Sequence, residues 1–167
     1  KIKNDEKNIN FMNIYILTEI TKRELDSNLL LACIAANRDF NVMITNSETI
    51  KFLNDKKLLK KGIFHTKSLV HGMKKKKLHE SLKKKKIKIS SIDEEAGLIL
   101  NDLVPFSKAR FTQEDFKDAD KIFCWGKNDY STLTTLPFFH IPIYFVPSGK
   151  SIIPNPSGLW FLISPLY

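Results

Sequence analysis

Short apolar runs separated by longer amphipathic stretches set the plan of this chain. Asn13–Leu17 (NIYIL), Asn41–Thr45 (NVMIT), Gly62–Thr66 (GIFHT), Ile87–Ile92 (IKISSI) and Lys121–Trp125 (KIFCW) are β-branched, aromatic and nearly continuous in hydrophobicity. Runs of that length and character predict strands buried on both faces. Ile143–Val146 adds a sixth. Between the first two strands, Leu25, Leu29, Ala32, Cys33 and Ala36 recur at helical spacing and predict an amphipathic helix over Lys22–Asn37. Thr21 followed by Glu24 reads as a capping box at its start. A second helix opens at Asn46 or Ser47 and runs to about Asp55. A third, lysine-rich, turns Met73, Leu78 and Leu82 inward, and the Thr112–Asp115 stretch repeats the cap logic before the fifth strand.

Strand and helix in alternation predict an α/β fold: a doubly wound, Rossmann-like parallel sheet with helices on both faces. Ligands of such sheets bind outside the carboxyl ends of the strands. That rule marks residues 18–26, 65–72, 93–97 and 125–130 as the functional edge. The tail departs from the pattern. Six of the seven prolines fall between Pro137 and Pro165, and Lys150 is the only charge from Pro137 to Tyr167. Proline at that density forbids a long helix, so the expected organisation is a loose extension over 1–11, an α/β domain over 12–147 and an irregular tail or linker over 148–167. Met12 reads as a start residue, and the chain as truncated or frameshifted after about Phe139.

Charge changes the picture less than its total suggests. The chain of 167 residues carries a net +9, but Lys74–Lys88 alone holds nine lysines and one glutamate. The remaining 18 basic and 17 acidic residues nearly cancel. Four consecutive lysines cover more than a helical turn and cannot all face one partner, so the block reads as a solvated helix face with its stems lying on the sheet. Nucleic-acid binding is not expected, because the block interleaves no aromatic ring other than histidine. The alternative is contact of Lys74–Lys88 with an anionic membrane or another polyanion, which would make the chain a non-catalytic binding or regulatory α/β domain; a further reading is a truncated, inactive remnant. Cys33 and Cys124 each sit in an apolar run and read as reduced core residues of a cytoplasmic protein. No run reaches the roughly 18 apolar residues of a membrane span, and no spacing suggests a metal site.

The residues fit for chemistry lie on the predicted functional edge. Asp93, Glu94 and Glu95 follow the fourth strand directly. Crowded carboxylates raise one another's pKa, which suits a general base or acid near neutral pH. Lys22 and Arg23 stand in the first turn of the first helix, against its dipole, with Glu24 and Asp26 beside them. That charged cluster suits an anionic or polyhydroxy ligand, and Lys67 and Ser68 after the third strand are placed to join it. Trp125 offers a stacking face and Gly126 a close approach, while His65 reads as a strand-end core residue. No GxGxxG, GxxxxGK[ST] or GxSxG is present, which argues against dinucleotide, P-loop and α/β-hydrolase chemistry.

Taken in order, IYILTEITKRELDSNLLLACIAANRDFNVMITN, FHTKSL, ISSIDEEAGLI and ADKIFCWGKND resemble the start of bacterial surface carbohydrate biosynthesis proteins, over about Met12 to Leu136. These are glycosyltransferases of the two-Rossmann-domain (GT-B) architecture, linked to capsule and lipopolysaccharide assembly. The resemblance implies that Lys22, Arg23, Glu24, Asp26, Lys67, Ser68, Trp125 and Gly126 bind substrate and that Asp93, Glu94 and Glu95 are catalytic. It also implies a nucleotide-sugar donor, a glycan or lipid-linked acceptor and a second Rossmann domain carrying most donor contacts. This chain would then be the acceptor-side half, with no cofactor or metal of its own, cytoplasmic or peripheral at the inner membrane. It departs from the family pattern where Ala96 precedes Gly97, and where VPSGKSIIPNPSGLW stands in place of the G-N-P-R-x-D element.

Overall fold

A computed structural model of the chain describes residues 12–70, 73–92, 105, 116–124, 127–134, 143–145, 151–154 and 160–163. Asn13 opens β1 (Asn13–Leu17) and pairs with Asn41 of β2 (Asn41–Thr45) on one side and Gly62 of β3 (Gly62–Thr66) on the other. Beyond β3 follow β4 (Lys88–Ile92), β5 (Lys121–Cys124) and β6 (Ile143–Phe145), giving a six-stranded sheet of order β2-β1-β3-β4-β5-β6 in which every pair is parallel. The first two crossovers diverge: β1 leads outward to β2, and β2 returns across β1 to β3. The point where strand order reverses therefore lies between β1 and β3, and it opens at their carboxyl ends.

Helices cover both faces. α1 (Thr21–Ala36) presses Ala32 and Ala35 onto Ile14, Ile16 and Phe40. On the opposite face, α2 (Ser47–Asp55) and α3 (Met73–Lys84) bring Ile50 and Leu82 against Tyr15, Leu17, Phe64, Ile87 and Ile89. His79 of α3 is also buried there, edge-on to the Phe64 ring at 5.9 Å between centroids. α4 (Lys127–Thr134) adds Leu133 to the same core. The architecture is the expected Rossmann-like α/β fold.

Three sequence expectations need correction. The buried stripe of α1 is Glu24, Ala32 and Ala35, with Leu29 half exposed and Cys33 exposed, so Cys33 is not a core residue. The face turned to the sheet is centred on Glu24, Ala32 and Ala35, which keeps Ala32 of the expected stripe inside and leaves Leu29, Cys33 and Ala36 outside. Thr21 is not a capping side chain either: Ile20 is the N-cap and provides no side-chain bond. The tail contains an antiparallel pair, β7 (Ser151–Pro154) with β8 (Trp160–Ile163). β7 carries Ile152 and Ile153 and β8 carries Trp160, Phe161 and Ile163, residue types that favour strands.

The three helices α1, α2 and α3 end alike. Asp39, Lys57 and Lys86 adopt φ of 62°, 58° and 60°. The next residue in each case donates its N–H back to the helix: Phe40 to Ala35, Leu58 to Leu53 and Ile87 to Leu82. This is the Schellman arrangement, whose left-handed position favours glycine. Replacing Lys57 with glycine is therefore expected to stabilise the fold by about 0.5–1 kcal/mol, the left-handed penalty less glycine's own entropy cost. A urea titration checks this, and an unchanged or lower midpoint would contradict it.

Candidate functional site

The crevice between β1 and β3 is built by two short loops. The chain leaves β1 at Thr18, whose N–H donates to the Thr45 carbonyl at 2.8 Å, and enters α1 through Glu19 and Ile20. Asn28 of α1 holds this turn, its amide donating to Thr18 Oγ1 at 2.8 Å and to the Leu17 carbonyl at 3.2 Å. After β3, Thr66 Oγ1 donates to the Ser68 carbonyl (3.2 Å), and Ser68 Oγ accepts from the Val70 N–H (3.2 Å). Ser68 is buried and shapes its own loop. Together these bonds leave Lys67 leaning across the crevice.

There its ammonium lies 2.6 Å from Glu24 Oε1 and 3.3 Å from Glu19 Oε2. Glu24 is fully buried, and its second oxygen accepts the Glu19 N–H at 2.7 Å. Glu19 is the outer member of the pair, with about a quarter of its side chain exposed. Its Oε1 accepts from Ser47 Oγ at the start of α2 (2.9 Å) and stands 3.7 Å from the ammonium of Lys75 in the first turn of α3. Five elements thus converge: the β1 loop, α1, the β3 loop and the starts of α2 and α3 on the far face. The Arg23 guanidinium lies 3.5 Å from Glu24 Oε1, with half its side chain in solvent.

The electrostatics follow from this packing. Burial would push the Glu24 carboxyl up, but hydrogen bonds from Lys67 and from the Glu19 and Ile20 backbone outweigh it and hold it below the usual carboxylate range. Burial acts on Glu19 in the same sense and is likewise overcome, by Ser47, Lys75 and Lys67. The Lys67 ammonium is opposed by burial yet held above its usual value by the two carboxylates. Both acids are held ionised and Lys67 charged, so the centre is a compensated network whose Glu19 edge offers acceptors to solvent.

Sequence reasoning found Lys67, Arg23 and Glu24 and missed Glu19, Ser47 and Lys75. It gave Lys67 a free charge for ligands, whereas that charge is engaged by two carboxylates; Lys67 positions them. Lys22 and Asp26 are exposed and make no side-chain bond among the described residues. Asp93, Glu94, Glu95, Trp125 and Gly126 lie outside the described residues, as do the Thr112–Asp115 cap and the 1–11 extension. The strand leading to the acidic triplet, β4, ends at Ile92, and its Ser91 is level with Thr66 of β3. Among the described residues no cluster of three or more histidine, cysteine or acidic groups could hold a metal, and no helix is long and apolar enough to cross a membrane. A second concavity of about 390 Å³, lined by Asn13, Tyr15, Met43, Leu53, Leu58 and Lys60, lies at the amino ends of the strands, away from this network.

His65, next to this loop, is partly buried, and its Nδ1 lies 3.0 Å from Ser90 Oγ. Desolvation pushes its pKa down to about 4, so it is neutral at pH 7. The unfolded chain binds that proton near pH 6.5 and the native state only near 4, so stability falls as pH drops through this window. A loss on the order of 2–3 kcal/mol is expected between pH 7 and 4, reduced in His65→Gln; identical pH profiles for the two proteins would contradict it. Below that window the depressed carboxyls of Glu19 and Glu24 act in the same direction.

No known family profile matches the chain, and no curated protein matches it.

Proposed function

We propose that the chain is the acceptor-side half of a GT-B-like glycosyltransferase of bacterial surface carbohydrate assembly. The observation that carries this reading is the ion pair between Lys67 and Glu24, 43 residues apart. It joins the K-R-E-L-D and K-S elements, two of the four on which the resemblance rests, at the point where doubly wound sheets bind ligands. A compensated network with an exposed carboxylate edge suits a polyhydroxy acceptor, because an ionised carboxylate accepts hydrogen bonds from sugar hydroxyls.

In this reading the complete enzyme moves a sugar from a nucleotide-sugar donor to a hydroxyl of a growing glycan or lipid-linked acceptor, on the cytoplasmic side of the inner membrane. The hydroxyl oxygen forms the new bond to the sugar's anomeric carbon, the nucleotide leaves with the old bonding pair, and the hydroxyl proton passes to a base. One of Asp93, Glu94 or Glu95 is that base or its orienting partner. Lys22 and Arg23, exposed at the start of α1, meet anionic groups of acceptor or donor, and Trp125 with Gly126 offers a face to a sugar ring. Lys67 and Glu24 hold Glu19 in place. The second Rossmann domain of the complete enzyme supplies most contacts to the donor.

The test is made in a complete two-domain relative, by converting the three carboxylates of the acidic triplet to amides. Transfer should be abolished while the circular dichroism spectrum is retained, and unchanged turnover would sink the assignment. The isolated chain is expected to show no transfer; robust turnover by it alone would equally contradict this reading.

A further inference from the structure

The fold gathers the positive charge of the protein onto one layer. α2 and α3 lie side by side on one face of the sheet. They are tied by Asn54 Nδ2 donating to Ser81 Oγ at 2.9 Å and by the Lys85 ammonium donating to the Asn54 carbonyl. Ser47–Lys61 and Lys75–Lys88 comprise α2, α3 from Lys75 onward and the loops leaving both helices. They hold thirteen lysines against three carboxylates, a net of +10, so the rest of the +9 chain sums to −1. The lysine run of α3 is only part of this: Lys51, Lys56, Lys57, Lys60 and Lys61 join it from the other segment, and all five are exposed. Among them stand two exposed apolar side chains, Phe52 at 56% and Leu58 at 62%, and the Lys56 ammonium lies 5.9 Å from the Phe52 ring centre.

We propose that the α2–α3 layer docks the protein onto an anionic lipid bilayer. Lysine is a compact, strongly hydrated charge that acts at a headgroup plane without shedding its water, and juxtamembrane clusters of this size recognise anionic leaflets. Apolar side chains set among such lysines enter the interface while the charges stay at headgroup depth. Nucleic acid is the poorer match. Neither Ser47–Lys61 nor Lys75–Lys88 contains an arginine, and α3 has no Phe, Tyr or Trp between its lysines for bases to stack on. The inference stands apart from glycosyl transfer, since it uses only charge, exposure and packing. It has one consequence for the site: α2 and α3 both begin at the carboxyl edge, so Ser47 and Lys75 belong to the docking layer and to the Glu19 network at once.

The test is co-sedimentation of the full chain with vesicles of phosphatidylcholine, with and without 30% phosphatidylglycerol (roughly the charge density of an anionic leaflet). Binding is expected only to the anionic vesicles and should fall steeply as salt is raised. A quadruple variant, Lys51→Gln, Lys61→Gln, Lys77→Gln and Lys84→Gln, removes exposed charges outside the Glu19 network. Each lysine near the surface is worth about fivefold in affinity, so this variant should bind on the order of several hundredfold more weakly. Phe52→Ser should leave less protein bound at a given salt while the circular dichroism spectrum is unchanged. Equal binding to neutral vesicles, no binding to either, or tighter binding to a DNA duplex than to anionic vesicles at the same salt would each overturn the proposal.

Discussion

Replacing Glu24 with alanine is expected to destabilise the fold by about 3 kcal/mol, the lower end of the range for breaking a buried ion pair by removing one partner. Glu24 is fully buried and receives both the Lys67 ammonium and the Glu19 N–H. Its loss strands a lysine that is only 14% exposed at the side chain and that retains Glu19 alone. The lower end applies because that second carboxylate remains. A double replacement, Glu24→Leu with Lys67→Met, should recover much of the loss, since apolar substitutes of similar volume often replace a buried pair without penalty. Denaturant unfolding of the three proteins decides the matter. A Glu24→Ala variant within about 0.5 kcal/mol of the parent would show a surface-like pair worth little.

Gly62→Ala is the second large effect. A Cβ at Gly62 would sit 2.2 Å from the Asn13 carbonyl oxygen, a backbone atom of β1 that cannot rotate away. β1 and β3 flank the crevice, and Asn13 and Gly62 are paired across them. Relief requires the two strands to part at their amino ends, at a cost of about 3 kcal/mol, the upper range for overpacking. The Asn13 side chain also bonds the Lys61 carbonyl at 3.0 Å, so the same movement loses that contact. A parent-like unfolding midpoint for Gly62→Ala would contradict this.

Most of the sheet was legible because its signal is local. Six apolar runs became six strands within a residue or so at each end, since central strands covered by helices on both faces read as short, mostly apolar runs; the edge strand β2 departs from this, with Asn41 and Met43 exposed. The candidate crevice was legible only where a residue's own neighbours marked it. Lys67 and the Lys22–Asp26 cluster stood out as charges beside strand ends. Glu19 did not, because a glutamate in a three-residue loop carries no pattern of its own. Lys75 was hidden in a run of identical residues, and nothing local marks it as a lysine that reaches Glu19. α1 shows the same limit from the other side. Its apolar periodicity pointed Leu29 and Cys33 inward, and a lysine 43 residues away reversed this by making a buried glutamate affordable. Long-range pairing overrode the hydrophobic stripe, and periodicity cannot see such a partner.

The claim on which the account turns is that ligand binds at the carboxyl-edge crevice organised by Glu19, Glu24 and Lys67. Titrating the isotopically labelled chain with hexoses, N-acetylhexosamines and their 1-phosphates, read by amide chemical shifts, tests it most directly. Shifts gathered on Thr18–Ile20, Asn46–Ser47 and Lys67–Val70 are the expected outcome. Shifts confined to Asn13, Asn41 and Lys60 at the opposite edge, or none with any of these sugars, would contradict it.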